Sequence, residues 1–151
     1  MTKREGGKEL DAVDSLLSNR TSSKDDGLTI ANLLNQGTLK VFDGMFDQAI
    51  PFFREVMTHK PANIVASNNL ATCKIFMTNN QYRVGESIKL LEDLIHRDSL
   101  ANINEQVVQN LVSMYDIHFC HNPNEKKIEL AEFCSKNGKD SVNANLYVQH
   151  P

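Results

Sequence analysis

Between Ile30 and Pro61 the chain sets small, aromatic and helix-ending residues at helical intervals: Leu33-x₂-Gln36-Gly37-x₂-Lys40, then Gly44, then Ala49-x₃-Phe53, then Pro61. This spacing constrains the fold more than any other stretch of the sequence. Asp43-Gly44 is a turn dipeptide that divides the segment into two helical stretches. Pro61 follows the second stretch and stops it, because proline cannot continue a helix. Helical periodicity then runs on to the end of the chain. It predicts helices over about 30–43, 46–58, 63–78, 83–97, 103–119 and 124–137, with a short terminal helix over 141–148. Asn63 is placed to cap the third of these. Period-2 alternation never holds for long, so no strand is expected. Pro51 conflicts with its surroundings, since a proline costs ~3 kcal/mol in a helix interior. An N-cap at Asp47 would move Pro51 into the first turn and relieve that cost.

The spacing resembles one tetratricopeptide repeat, a unit of about 34 residues with the pattern W-x₂-L-G-x₂-Y, A-x₃-F, P. The resemblance implies an all-α, right-handed stack of antiparallel helix pairs with about six to eight helices. In such a stack Gly37 and Ala49 are small because the two helices approach closely there, and Phe53 fills the groove towards the next pair. Leu33 and Lys40 stand where the repeat has Trp and Tyr. A second unit places Asn69-Leu70-Ala71 at the small position, with Ser87, Leu91 and Leu94 following. It needs about two extra residues around Arg83-Val84-Gly85. A third unit, Val108-x₂-Leu111-x₃-Tyr115, recovers the aromatic of the first helix. The expected organisation is a polar segment over 1–27 and a repeat domain over 28–149. Within the polar segment, Leu10, Val13, Leu16 and Leu17 fall on one helical face.

The second half carries a more specific likeness. Val65-Ala-Ser-Asn-Asn-Leu-Ala71-Thr-Cys, Glu86-Ser-Ile-Lys-Leu-Leu-Glu-Asp-Leu-Ile95 and Val107-Val-Gln-Asn-Leu-Val-Ser-Met-Tyr-Asp116 occur in that order. Lys126-Lys127-x₂-Leu130, Gly138-Lys-Asp-Ser-Val-Asn143 and Leu146 follow. Together they resemble the C-terminal repeats of subunit 12 of the trafficking protein particle (TRAPP) complex, whose sequences end in a similar K-K-x₂-L, G-D-S-F-N and leucine. The likeness covers roughly residues 26 to 149; the family's proteins are several times longer. The resemblance implies a non-catalytic interaction subunit of a vesicle-tethering complex in transport between endoplasmic reticulum and Golgi. Its partners would be other protein subunits, holding it at the cytosolic face of those membranes. The alternative is a tetratricopeptide adaptor or co-chaperone in an unrelated complex.

Composition agrees with a protein partner. Sixteen lysines and arginines against nineteen acidic residues leave a net charge of −3, which provides no broad basic surface for nucleic acid. No apolar run approaches the ~20 residues that span a bilayer, so no direct membrane insertion is expected. Met1-Thr-Lys-Arg-Glu-Gly-Gly lacks the apolar stretch of a signal peptide. Three widely spaced cysteines suggest a reduced, cytoplasmic chain. Nucleotide-binding, zinc-protease and nucleophile-elbow motifs are missing, so no catalytic residues, cofactor or small-molecule substrate are expected. His118-x-Cys120-His121 with Cys134 falls short of the paired spacings of a zinc site and reads as a satisfied helix end. Cys73 reads as a small buried apolar residue, Glu92-Asp93 as a solvated face, and Lys126-Lys127 as an exposed pair at a helix start.

The groove of a repeat stack is lined by the first helix of each pair. Spacing assigns Leu34, Thr38, Val41 and Phe42 to it from the first unit, and Asn68, Thr72, Ile75 and Phe76 from the second. A carboxylate clamp for an acidic tail needs cations there. Asn68 or Asn69 suits one, but Leu34 and Thr38 stand where Lys and Asn would be required. A mostly apolar groove suits a helix from a partner subunit better. Equally, Val41, Phe42 and Phe76 could pack against an N-terminal helix of the same chain.

Overall fold

The computed structural model describes residues 26–77 and 81–138, which form an all-α stack without a strand among them. Helix α1 covers residues 26–42. It is followed by α2 (Phe46–His59), α3 (Ile64–Phe76), α4 (Gln81–Arg97), α5 (Ser99–Asn102), α6 (Glu105–His118) and α7 (Pro123–Asn137). Each long helix packs on its neighbour in sequence: α2 on α3, α3 on α4, α4 on α6, and α6 on α7. The helix pairs α1/α2, α3/α4 and α6/α7 are the three units expected from the sequence. The terminal helix over 141–148 and the apolar face of Leu10–Leu17 lie outside the described residues.

The turn between α1 and α2 is written locally. Gly44 has φ of 74°, in the left-handed region that costs a side chain 1–2 kcal/mol or so. Its N–H donates to the Val41 carbonyl at 3.0 Å and the Met45 N–H to the Lys40 carbonyl at 2.8 Å. These two bonds close the last turn of α1 and satisfy its orphan carbonyls. Because the chain leaves this turn ready to restart, α2 begins at once at Phe46 with Met45 as N-cap. Asp47 is therefore not the cap but lies in the first turn, and Pro51 stands inside the helix. Burial of Ala49, Ile50, Phe53 and Val56 holds the helix in register. Pro51 falls on the exposed side, where the carbonyl it leaves unpaired is open to water.

Asn63 caps α3 as expected, its Oδ1 accepting the Ala66 N–H at 2.9 Å. The expected helix over 103–119 is α6, and a short helix, α5, that the periodicity did not show stands before it. Asp98 caps the four-residue α5 and Asn104 caps α6, accepting from the Ala101 and Val107 N–H groups respectively. Ile103 between them is extended and buried. Buried Asn102 donates from Nδ2 to the Leu94 carbonyl at 2.8 Å, satisfying the end of α4. Asn102→Ala removes that donor and strands a buried carbonyl. An unfolding free energy about 1–3 kcal/mol lower is expected in a urea titration.

Two apolar clusters form the core. The first joins Ile30, Ala49, Ile50, Phe53 and Val56 to Ala66, Leu70 and Cys73 of α3. The second runs from α3 through α7. Leu90 packs against both. The small positions have the reasons the repeat pattern supplies. A Cβ on Gly37 would lie 2.8 Å from Cε1 of Phe53. Fully buried Ser87 brings its Oγ to 3.1 Å from the Ala71 carbonyl across the α3/α4 contact. Cys73 is buried as expected, and burial pushes its thiol up from 9.0 to about 11.

Two expectations for charged residues are overturned. Glu92 is not simply solvated: it accepts a hydrogen bond from the Tyr115 hydroxyl at 2.7 Å, joining α4 to α6. Burial and then the nearby Glu92 carboxylate push that phenol far above its ordinary range. Lys127 is only 6% exposed and pairs with Asp116 of α6 at 2.5 Å. It shares the inward face of α7 with Leu130, Ala131 and Cys134, so its aliphatic stem packs inside while the ammonium reaches Asp116. Lys126 pairs with Glu129 on the same helix at 2.6 Å.

Candidate protein-binding groove

The first helices of the three units, α1, α3 and α6, present one continuous face. Its α3 and α6 parts are tied together by a hydrogen bond from Asn110 Nδ2 to Asn68 Oδ1 at 2.8 Å. Asn110 Oδ1 accepts in turn from Gln106 at 3.3 Å. The Thr72 hydroxyl donates to the Asn68 carbonyl at 3.0 Å, one turn back along α3.

The eight residues assigned to the groove from spacing divide into three groups. Leu34 and Val41 are half-buried against the first apolar cluster and Ile75 against the second, so they anchor the helices more than they line a surface. Asn68 and Thr72 are half-buried and hydrogen-bonded as above, whereas Thr38 is exposed. Phe42 and Phe76 stand out, 88% and 65% exposed. They occupy equivalent places at the C-terminal ends of α1 and α3.

Spacing missed the residues that complete this edge. Phe46 opens α2, a helix outside the groove-lining set, yet its ring stacks on Phe76 with centroids 4.9 Å apart and planes 13° from parallel. Exposed Met45 and Met77 extend the patch. The only sequence signal for Phe46 was the Asp43-Gly44 turn, which brings the start of α2 back beside the end of α1. On α6, exposed Ile117 was also missed.

None of the eight residues assigned to the groove is charged, and Lys40 of α1 stands beside its aromatic edge with Nζ 3.8 Å from Met45 Sδ. Asp116 stands on the α6 side of the groove, and that carboxylate is engaged by Lys127. A clamp for an acidic tail needs cations in the groove, and neither Leu34 nor Thr38 supplies one. The His118, Cys120 and His121 cluster does not converge with Cys134. Cys134 is buried in the core, Cys120 and His121 are exposed, and the His118 ring lies against Phe119 and beside Gly85. Among the described residues no group of three His, Cys, Asp or Glu side chains is placed to hold a metal ion. No helix of the described residues is long and apolar enough to cross a membrane.

Comparison with known proteins agrees with the likeness seen in the sequence. No family model matches the chain, and no solved structure matches it. Over 126 residues it is 31% identical to trafficking protein particle complex subunit 12 of Mus musculus and 30% identical to the Homo sapiens protein of that name. The chain spans only 15% and 16% of the length of those two relatives. Across 82% of its own length, then, this helical stack is similar in sequence to trafficking protein particle complex subunit 12.

Proposed function

We propose that the chain is a non-catalytic protein–protein interaction module of a TRAPP-type vesicle-tethering assembly, serving transport between endoplasmic reticulum and Golgi. Other subunits would hold it at the cytosolic face of those membranes. The similarity to subunit 12 supports the assembly, and the exposed aromatic edge of Phe42 and Phe76 supports the mode of action. Large aromatic side chains left in water at one end of a groove are the kind of residue that dominates protein interfaces. The sequence-assigned residues Leu34, Thr38, Val41, Asn68, Thr72 and Ile75 flank that edge and set the shape of the groove.

Affinity purification of the tagged chain from its native cell, followed by identification of the recovered proteins, tests the assignment. Recovery of other tethering-complex subunits is expected. Recovery of a chaperone without them would replace the proposal with the co-chaperone reading.

A further inference from the structure

Each end of a helical stack needs a face that water tolerates, because no further unit covers it. At the α7 end the sequence supplies one: Glu125, Glu129, Glu132 and Lys136 are exposed, and Lys136 pairs with Glu132 at 3.8 Å. At the α1 end it does not. From Gly27 to Leu39, α1 carries no charged residue. Its inward side is set by buried Ile30 and Gly37, with Ile30 joining Ala49, Ile50 and Phe53 of α2. Leu28, Asn35 and Leu39, seven and then four residues apart, fall on the opposite side, with Ala31 beside them. Leu28 is 64% exposed and Leu39 61%. A helix face in water ordinarily carries charged and polar residues. This one centres on two leucines that nothing among the described residues covers.

Twenty-five residues precede α1. Among them Leu10, Val13 and Leu17 recur at i, i+3 and i+7, one stripe of a helix, and Lys8, Asp11 and Ser15 fall on its far side. Six residues, Arg20 to Asp25, link residues 8–19 to α1. Links of about two to eight residues ordinarily join antiparallel neighbours. A link this short holds the segment near the start of α1, where Leu28 lies. The antiparallel register puts Leu17 beside Leu28, and Leu10 between Asn35 and Leu39. A segment tethered this way also meets the face at an effective concentration of millimolar order, well above that of a second copy in solution.

We propose that residues 8–19 cover the outer face of α1 as an antiparallel helix, with Leu10, Val13 and Leu17 against Leu28, Ala31 and Leu39, and so cap the N-terminal end of the stack. The cap gives the first unit the neighbour that every helix pair needs. In this register residue 8 lies level with Gly37, so Phe42 stays open to a partner. The cap is therefore independent of which partner the aromatic edge takes.

The chain has no tryptophan, so Leu28→Trp introduces a single reporter on the stripe. In the full chain its emission is expected to be blue-shifted and several-fold less quenched by acrylamide than free tryptophan, at every protein concentration. Adding Leu10→Ser and Leu17→Ser should return it to the emission and quenching of an exposed indole while the stack keeps its cooperative thermal transition. An indole already open to quencher in the full chain, shielding that survives the two serines, or shielding lost on dilution (a second copy as the cover) would overturn the proposal. Should the serines unfold the chain, cross-linking decides. In a Cys120→Ser background, Leu17→Cys/Leu28→Cys should close an intramolecular disulfide under mild oxidation, and Leu17→Cys/Ser135→Cys should not. Equal yields from the two pairs, or none from the first, would contradict the cap.

Discussion

Phe53→Ala should lower the unfolding free energy by about 3–5 kcal/mol, the range for deleting a fully buried phenylalanine. The ring is entirely buried and is the shared centre of the first cluster. It faces α1 through Gly37 and packs with Ala66, Leu70 and Cys73 of α3. Its removal therefore opens space among three helices, none of which can move in without uncovering its own contacts. Since single domains are stable by only about 5–15 kcal/mol, the loss would take a large part of the total. A urea titration with an unchanged slope and a much lower midpoint is the expected result. A loss below about 1 kcal/mol would show that Phe53 does not join the helix pairs.

Gly37→Leu attacks the same contact from the other side. A Cβ at Gly37 already lies 2.8 Å from Phe53 Cε1 and 3.2 Å from Phe52 Cβ, inside normal contact distance on both. The rest of a leucine side chain has to push α2 away, at a cost of about 3 kcal/mol or more. The gain in helix propensity on replacing glycine, about 1 kcal/mol at most, offsets only part of this. The double variant Gly37→Leu/Phe53→Ala gives the sharper measurement. Leucine can enter the volume the ring vacates, so the two losses should fall short of additivity by at least about 1 kcal/mol. Strict additivity would mean that the two residues do not share one space.

Where local chemistry decides an element, the sequence made it legible. Gly44 and Asn63 declared the α1–α2 turn and the start of α3 because left-handed glycine and side-chain caps act within a few residues. The small positions Gly37, Ala49 and Ala71 were legible because helix pairs repeat the same close approach. What escaped depended on distant groups. Pro51 sits inside α2 because core burial overrides its local cost. Glu92 and Lys127 are engaged because Tyr115 and Asp116, far along the chain, come to meet them. The short α5 was signalled only by Asp98, a polar residue that also occurs in ordinary helix surfaces. Phe42 and Phe76 were legible as members of one helical face, whereas their standing largely in water was not. Phe46 was hidden because it belongs to the second helix of its pair.

Comparative affinity purification of the parent chain and a Phe42→Ser/Phe76→Ser variant tests the interaction role most directly. Phe42 lies largely in water and Phe76 gives up its stack on Phe46, so the variant should still fold and melt within about 8 °C of the parent. Its recovery of tethering-complex subunits should fall by about tenfold or more, as expected when central aromatic contacts are lost. Undiminished recovery by a correctly folded variant would contradict the account.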